Sequence, residues 1–367
     1  MVEPEPLSVG VVRESLPGER RVALVPKLVS RLIRRKLRVL VESGAGEGAA
    51  LADEVFEESG AEIGHAWQAD VVLKVAPPTQ AEVTRLKPGA VLIGFLKPLS
   101  DVDGIAALDR AGVTAFAMES IPRITRAQAM DALSSQSSVA GYRSVLLAAE
   151  RLPRFFPMLT TAAGTVPPAK VLVLGVGVAG LQALATSKRL GARTTGYDVR
   201  PEVAEQVRSV GANWLDLGIE AAGEGGYARE LTDDERAEQQ RRLTEATTGF
   251  DVVITTALVP GRRAPTLVTA EAVRGMPAGG VVVDLAGESG GNCELTEPGK
   301  EIVAHDVTIC SPLNLAAEMP AHASELYARN LTELVELLVD DDGKLAIDFS
   351  DEIVAGACVA GRERGAP

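Results

Sequence analysis

The chain is poor in the side chains that build metal centres and cross-links. Its 367 residues include three cysteines and three histidines. Cys293, Cys310 and Cys358 are too few and too scattered for a zinc site or a disulfide framework, which points to a reduced, cytoplasmic setting. His65, His305 and His322 also lack ligand spacing. Positive charge is short as well: 37 Lys and Arg face 50 Asp and Glu, a formal net charge of −13. Arg-Arg pairs such as Arg34-Arg35 and Arg241-Arg242 are short and isolated, so nucleic acid and anionic membrane are excluded as main partners. No charge-free run of about 18 apolar residues occurs. The opening MVEPEPLSVG has no basic n-region and no long apolar core, so no signal peptide is expected.

What is present is a globular composition, 46% hydrophobic and 24% charged, in a chain long enough for two domains. Leu7–Val12, Val39–Glu42, Val71–Val75, Val91–Phe95 and Val113–Ala117 read as strands. Lys27–Lys36, Leu51–Gly60 and Val102–Ala111 read as helices among them. Such alternation means a parallel sheet with crossover helices. Thr125–Leu152 reads as one long helical stretch. A second alternating block runs from Lys170 to about Pro312, with later strands at Asp251–Thr256, Val281–Leu285 and Val307–Cys310. A second long helical pattern follows at Ala316–Val339, and the tail from Ala355 is expected to be loose. The fold class is therefore α/β: two doubly wound, Rossmann-like parallel-sheet domains linked by two long helices. The expected domains are 1–135 with 316–367, and 136–315, with a nucleotide cleft between them.

The most informative stretch is Lys170–Arg200, KVLVLGVGVAGLQALATSKRLGARTTGYDVR. Gly175, Gly177 and Gly180 form G-x-G-x-x-G directly after an apolar run, and Asp198 follows 18 residues after the last glycine. Strand, turn, helix and acidic residue together form the dinucleotide fingerprint. Gly175 permits the tight turn, Gly177 lets backbone approach a pyrophosphate, and Gly180 lets helix pack on strand. The helix start offers N–H groups and partial positive charge to phosphates. Asp198 can accept both ribose hydroxyls of NAD and repels a 2′-phosphate.

Ala221–Arg242, AAGEGGYARELTDDERAEQQRR, interrupts the second block. Its glycines and polarity suit either a mobile flap or a solvated loop with a surface helix.

The chain resembles the NAD(H)-binding domain I of proton-translocating nicotinamide nucleotide transhydrogenases, a family that shares its fold with alanine dehydrogenase. The resemblance covers nearly the whole chain. Its most specific stretch is RITRAQAMDALSSQSSVAGYR at Arg123–Arg143, followed by the glycine fingerprint, the GGYARE segment and TTALVPGRRAPTLVT at Thr255–Thr269. It implies that Arg123, Gln128, Asp131 and Ser134 hold the nicotinamide end of NAD(H). On their own, Gln128, Asp131 and Ser134 would read as a solvated helix face. A glutamine can nonetheless pair with a carboxamide as donor and acceptor. An arginine can hold a phosphate or carboxylate in fixed geometry. The resemblance also implies nucleotide contacts at Val178, at Asp198, Val199 and Arg200 by the ribose, and at Ala257 and Leu258 by the adenine. It assigns Gly226–Tyr227 to a mobile loop closing over the nucleotide, with Gln239 near it.

Alanine dehydrogenase is the alternative enzyme reading. Oxidative deamination needs a proton acceptor beside the substrate carbon. The histidine that follows the strand matching Val91–Phe95 in that enzyme is replaced here by Lys97 in GFLKPL. DLAGESGGN places Glu288 where its aspartate is expected. Arg13 and Lys74 resemble its substrate-carboxylate ligands and are expected to be structural ion-pair partners. A non-catalytic NAD(H)-binding regulatory module is the third reading.

The resemblance favours direct hydride transfer from NADH to NADP⁺, with Gln128, Arg123 and Asp131 positioning the nicotinamide and no acid–base residue. It implies an NADP(H)-binding partner subunit (domain III) and a membrane-spanning proton-channel subunit (domain II). It further implies a homodimer and a place on the cytoplasmic side of the membrane, reached through those partners by a polypeptide soluble by itself.

Overall fold

The computed structural model describes residues 5–218, 232–259 and 261–362. They form two compact units, residues 1–136 with 316–367 and residues 137–315.

In the first unit, β1 (Ser8–Val11), β2 (Arg38–Val41), β3 (Glu62–Ile63), β4 (Val71–Leu73), β5 (Val91–Gly94) and β6 (Thr114–Ala117) build a parallel sheet. Strands buried on both faces read as unbroken apolar runs, and here VVL and VLIG are fully buried. The order from one edge is Cys358–Ala360, β6, β5, β4, β1, β2, β3. Ligands of open α/β sheets sit at the strand ends where this order reverses, which here is the β4–β1 step. The tail is not loose. Asp351 caps a helix at Glu352–Ala357 by accepting from the Ile353 amide at 2.8 Å, and Cys358–Ala360 pairs antiparallel with β6. Ile353, Val354 and Ala357 are buried, and that apolar face is what holds the segment.

Thr125–Leu152 is not one helix either. A 3₁₀ turn at Thr125–Met130 stops at Asp131, and an α-helix begins at Ala132 and ends at Arg151. The Asp131 carboxylate accepts from the Ser134 amide at 2.9 Å and from the Ser134 hydroxyl at 2.5 Å. That is N-cap geometry, and a short acidic side chain that bonds nearby amides ends one helical run and starts another.

In the second unit an exposed hairpin, β7 (Leu159–Thr161) and β8 (Gly164–Val166), precedes the main sheet. That sheet contains β9 (Lys170–Leu174), β10 (Arg193–Tyr197), β11 (Asn213–Trp214), β12 (Val252–Thr255), β13 (Val281–Asp284), β14 (Glu301–Ala304) and β15 (Val307–Cys310). The order is β11, β10, β9, β12, β13, β15, β14, parallel except for β14 against β15. Its reversal lies between β9 and β12. Helix Val178–Arg189 follows β9. Gly141, in helix Ala132–Arg151, packs against its start: a Cβ there would lie 2.2 Å from the Ala179 carbonyl oxygen.

Part of the polar segment at Ala221–Arg242 is regular. Thr232 and Glu235 form a capping box that opens helix Asp233–Thr247. Gly226 and Tyr227 lie outside the described residues.

Candidate nucleotide site and positioning loop

The end of β9 carries the glycine turn. Gly175 has φ of +87°, and a Cβ on it would sit 2.8 Å from the Ala257 amide nitrogen. A Cβ on Gly180 would sit 2.1 Å from the Gly175 carbonyl oxygen. The Thr256 hydroxyl donates to that same oxygen at 2.7 Å. These two glycines are therefore required by the protein's own packing. Gly177 is different. Its φ of −80° is open to any residue, and no atom lies within 4 Å of the position a Cβ would take. It precedes helix Val178–Arg189, whose start has no side-chain cap. The first amides of a helix have no intrahelical acceptor and favour an anion. Nothing in the described chain demands glycine at 177, whereas a pyrophosphate drawn onto the backbone would. The residues present thus fit a dinucleotide.

Asp198, at the end of β10, is buried, and its carboxylate is fully engaged. It accepts from the Val176 amide at 2.8 Å, the Arg200 amide at 3.0 Å and the Arg200 guanidinium, Nε and Nη2, each at 2.9 Å. The Val176 bond ties the acidic residue to the glycine turn. Arg200 folds back onto Asp198, a pairing that no sequence pattern marks, and Val199 is half-buried beside them. Gln239 is buried and donates to the Tyr197 hydroxyl at 2.9 Å, so its carboxamide is already used inside the unit. Burial pushes the Tyr197 phenol above its ordinary range, and Asp198 acts in the same direction.

Opposite the turn, the loop after β12 is held by residues that belong to no recognisable motif. Asn292, fully buried, accepts from the Ala257 amide at 3.0 Å and donates to the carbonyls of Ala257 at 2.9 Å and Pro265 at 2.8 Å. Asn292 is in turn fixed by Asp284 at the end of β13, which accepts from its amide at 2.8 Å. Asp284 also accepts from the amides of Ala286 and Cys293 and from the hydroxyls of Thr255 and Thr296. A buried carboxylate with this many donors is a structural knot. The loop it steadies presents Leu258, 51% exposed, and the glycine turn presents Val178, 41% exposed. Such apolar surface suits the flat body of a nucleotide base. The thiols are inert by comparison, because burial pushes Cys293 up to about 11 and Cys310 up to about 12.

The first unit carries the other expected group. Arg123 and Gln128 are exposed, Gln128 on the 3₁₀ turn. Asp131 and Ser134 are half-buried and bond to each other, so they shape the joint and do not share one helix face with Gln128. Helix Pro320–Leu337 holds this joint from the side. Asn330 donates to the Ala129 carbonyl at 2.7 Å and accepts from the Ser135 hydroxyl at 2.8 Å. Gln136 donates to the Ala323 carbonyl at 3.1 Å and accepts from Arg21 at 2.8 Å. No sequence pattern marks Asn330; only the packed helix reveals it.

The positions aligned with dehydrogenase chemistry hold other groups. Lys97 follows β5 with φ of +51°, and Glu288 is exposed on a 3₁₀ turn at Gly287–Ser289. Lys74 is buried and ion-paired with Glu14 at 2.9 Å and Glu82 at 3.4 Å, while Arg13 pairs at the surface with Glu47 at 3.3 Å. Both cations thus sit in the ion pairs expected of them. Among the described residues no cluster of His, Cys, Asp and Glu is arranged to hold a metal ion, and no helix is long and apolar enough to cross a membrane.

Residues 10–140 match the family model "Alanine dehydrogenase/PNT, N-terminal domain", and residues 144–364 match "Alanine dehydrogenase/PNT, C-terminal domain". The second model thus includes the C-terminal helix and strand that pack with the first unit. The chain is similar to the first portion of the NAD(P) transhydrogenase subunit alpha of Rhodospirillum rubrum, 46% identical over 96% of each chain. It is less similar to the alanine dehydrogenase of Mycolicibacterium smegmatis, 32% identical over 95% of this chain and 91% of the other. A solved transhydrogenase structure from Sinorhizobium meliloti superposes with a TM-score of 0.88 at 44% identity, covering 96% of this chain and 98% of that one. Two family models that together span both units, a shared fold and these identities lead to one conclusion: the chain belongs to the alanine dehydrogenase/PNT family.

Proposed function

We propose that this chain is the NAD(H)-binding component of a proton-translocating NAD(P) transhydrogenase. It holds NADH and offers its ring for direct hydride transfer to NADP⁺ bound on a partner subunit. A further, membrane-spanning partner couples that transfer to proton movement, and the chain works as a homodimer on the cytoplasmic face. The observation that carries this reading is the pairing of a complete dinucleotide turn with Lys97 where the dehydrogenase relative needs a histidine. An imidazole can take and return a proton at neutral pH, and a lysine does not replace it.

NADH supplies the hydride. The protein's own groups bind and orient. Backbone amides from Gly177 onward face the pyrophosphate, and Asp198 faces the adenosine ribose once Arg200 yields one of its oxygens. Val178, Ala257 and Leu258 flank the adenine, with Val199 behind the ribose. Gln128 pairs with the nicotinamide carboxamide, Arg123 supplies fixed positive charge beside it, and Asp131 with Ser134 shapes the joint that carries Gln128. Positioning of this kind is a full catalytic contribution when two rings must meet with reacting carbons in near contact. No side chain has to move a proton.

The purified chain is expected to bind NADH yet to turn over no L-alanine with NAD⁺, measured as NADH absorbance at millimolar substrate. Ordinary enzymatic deamination rates would assign it to the dehydrogenase branch instead.

A further inference from the structure

We infer that Asn330 is a positioning residue for hydride transfer, acting through the joint that carries Gln128. The inference rests on the proposed role of that loop. Asn330 lies in helix Pro320–Leu337 and is 7% exposed, so its carboxamide has no access to a nucleotide. Its two ends bond across the break in the chain. The amide nitrogen donates to the Ala129 carbonyl at 2.7 Å, on the 3₁₀ side, next to Gln128. The amide oxygen accepts from the Ser135 hydroxyl at 2.8 Å, on the α-helical side of Asp131. Between these anchors lie only Met130, Asp131, Ala132, Leu133 and Ser134.

Few other side chains can do this. Spanning the joint needs a donor and an acceptor on one short planar group, which is what a carboxamide provides. A 3₁₀ turn is a short, weakly bonded element that does not fix its own orientation. Gln128 projects from that turn, so the direction of its carboxamide follows from where Ala129 is held. The neighbouring clamp, Gln136 on Ala323 and Arg21, fixes the helix after the joint and leaves the turn before it to Asn330. Loosening a positioned group by about 1 Å can cost ~100-fold in rate.

The discriminating variant is Asn330→Asp. It keeps the acceptor for Ser135 and, when ionised, loses the donor to Ala129. In the complex reconstituted with the NADP(H)-binding component, the transfer rate at pH 8 is expected to fall at least about 10-fold. NADH affinity should change less than about 3-fold, since the nucleotide is anchored mainly by the glycine turn. Relative to wild type, the rate should recover as pH is lowered and the new carboxyl gains a proton to donate to Ala129. Ser135→Ala, which removes only one of the two bonds, should show a smaller loss in the same direction. It also serves if Asn330→Asp does not fold. Transfer unchanged in the folded variants while Gln128→Ala is impaired would overturn the role of Asn330 and leave the proposed function standing. Equal losses in affinity and transfer would reduce Asn330 to a packing residue. Transfer unchanged in Gln128→Ala as well would overturn the proposed role of the loop itself.

Discussion

Gly177→Ala should bind NADH at least about 10- to 100-fold more weakly than wild type while melting at nearly the same temperature. The loss follows from the missing approach of backbone to pyrophosphate. Hydrogen bonds to a charged group are worth about 1.5–3 kcal/mol, and each ~1.4 kcal/mol is tenfold in affinity. The unchanged stability follows from the open space around residue 177 and its ordinary φ of −80°. Two small effects oppose each other. Alanine is a poorer helix cap than glycine by roughly 0.5–1 kcal/mol. It also restricts the unfolded chain, a gain of about 0.4–1 kcal/mol. Gly180→Ala is the control. Its Cβ would lie 2.1 Å from the Gly175 carbonyl oxygen, so it should lower the melting temperature by several degrees through overpacking of about 1–3 kcal/mol. Calorimetry of both variants with NADH titrations separates the cases. Wild-type affinity in Gly177→Ala would remove the turn from the pyrophosphate site.

Gln128→Ala should depress hydride transfer in the reconstituted complex by about 100-fold and shift the NADH dissociation constant by less than about 3-fold. The residue is exposed, and no hydrogen bond of its carboxamide is formed among the described residues, so folding loses little when it is removed. The adenosine and pyrophosphate ends, held in the second unit by Gly177 and Asp198, keep most of the binding energy. What is lost is the orientation of the ring. An interaction that matters chiefly in the transition state shows in the transfer rate, whereas one made equally in ground and transition states shows in affinity. Single-turnover kinetics with NADH titrated in parallel measures both. Losses of equal size would make Gln128 a plain binding residue.

The long buried strands were legible because parallel sheets hide both faces: VVL, VLIG, KVLVL and VVVD each read as apolar runs. Glu62–Ile63 and Asn213–Trp214 were not, because two residues carry no periodicity. β14, antiparallel at the sheet edge, alternates exposed and half-buried positions and has no apolar run to find. The break at Asp131 was hidden because helical periodicity continues across it; only the Ser134 amide and hydroxyl, both turned to one carboxylate, reveal the cap. The glycine turn and Asp198 were legible as residue types. Their division of labour was not, since the sequence shows three glycines alike and the structure shows that two serve the chain itself while Gly177 does not. Asn330 and Asn292 left no trace, because a buried carboxamide bonding to carbonyls of distant segments has no local pattern.

The central claim is that this chain positions NADH for direct transfer and moves no proton itself. Deuterium at C4 of the dihydronicotinamide, on the face that reacts, tests it most directly. The labelled NADH is mixed with the chain, the NADP(H)-binding component and NADP⁺ in ordinary water, and the product is read by mass spectrometry. The expected product is NADPH that carries the label with none lost to solvent. Unlabelled NADPH, or label that appears only when a 2-oxo acid and ammonia are supplied and then resides in an amino acid, would contradict direct transfer.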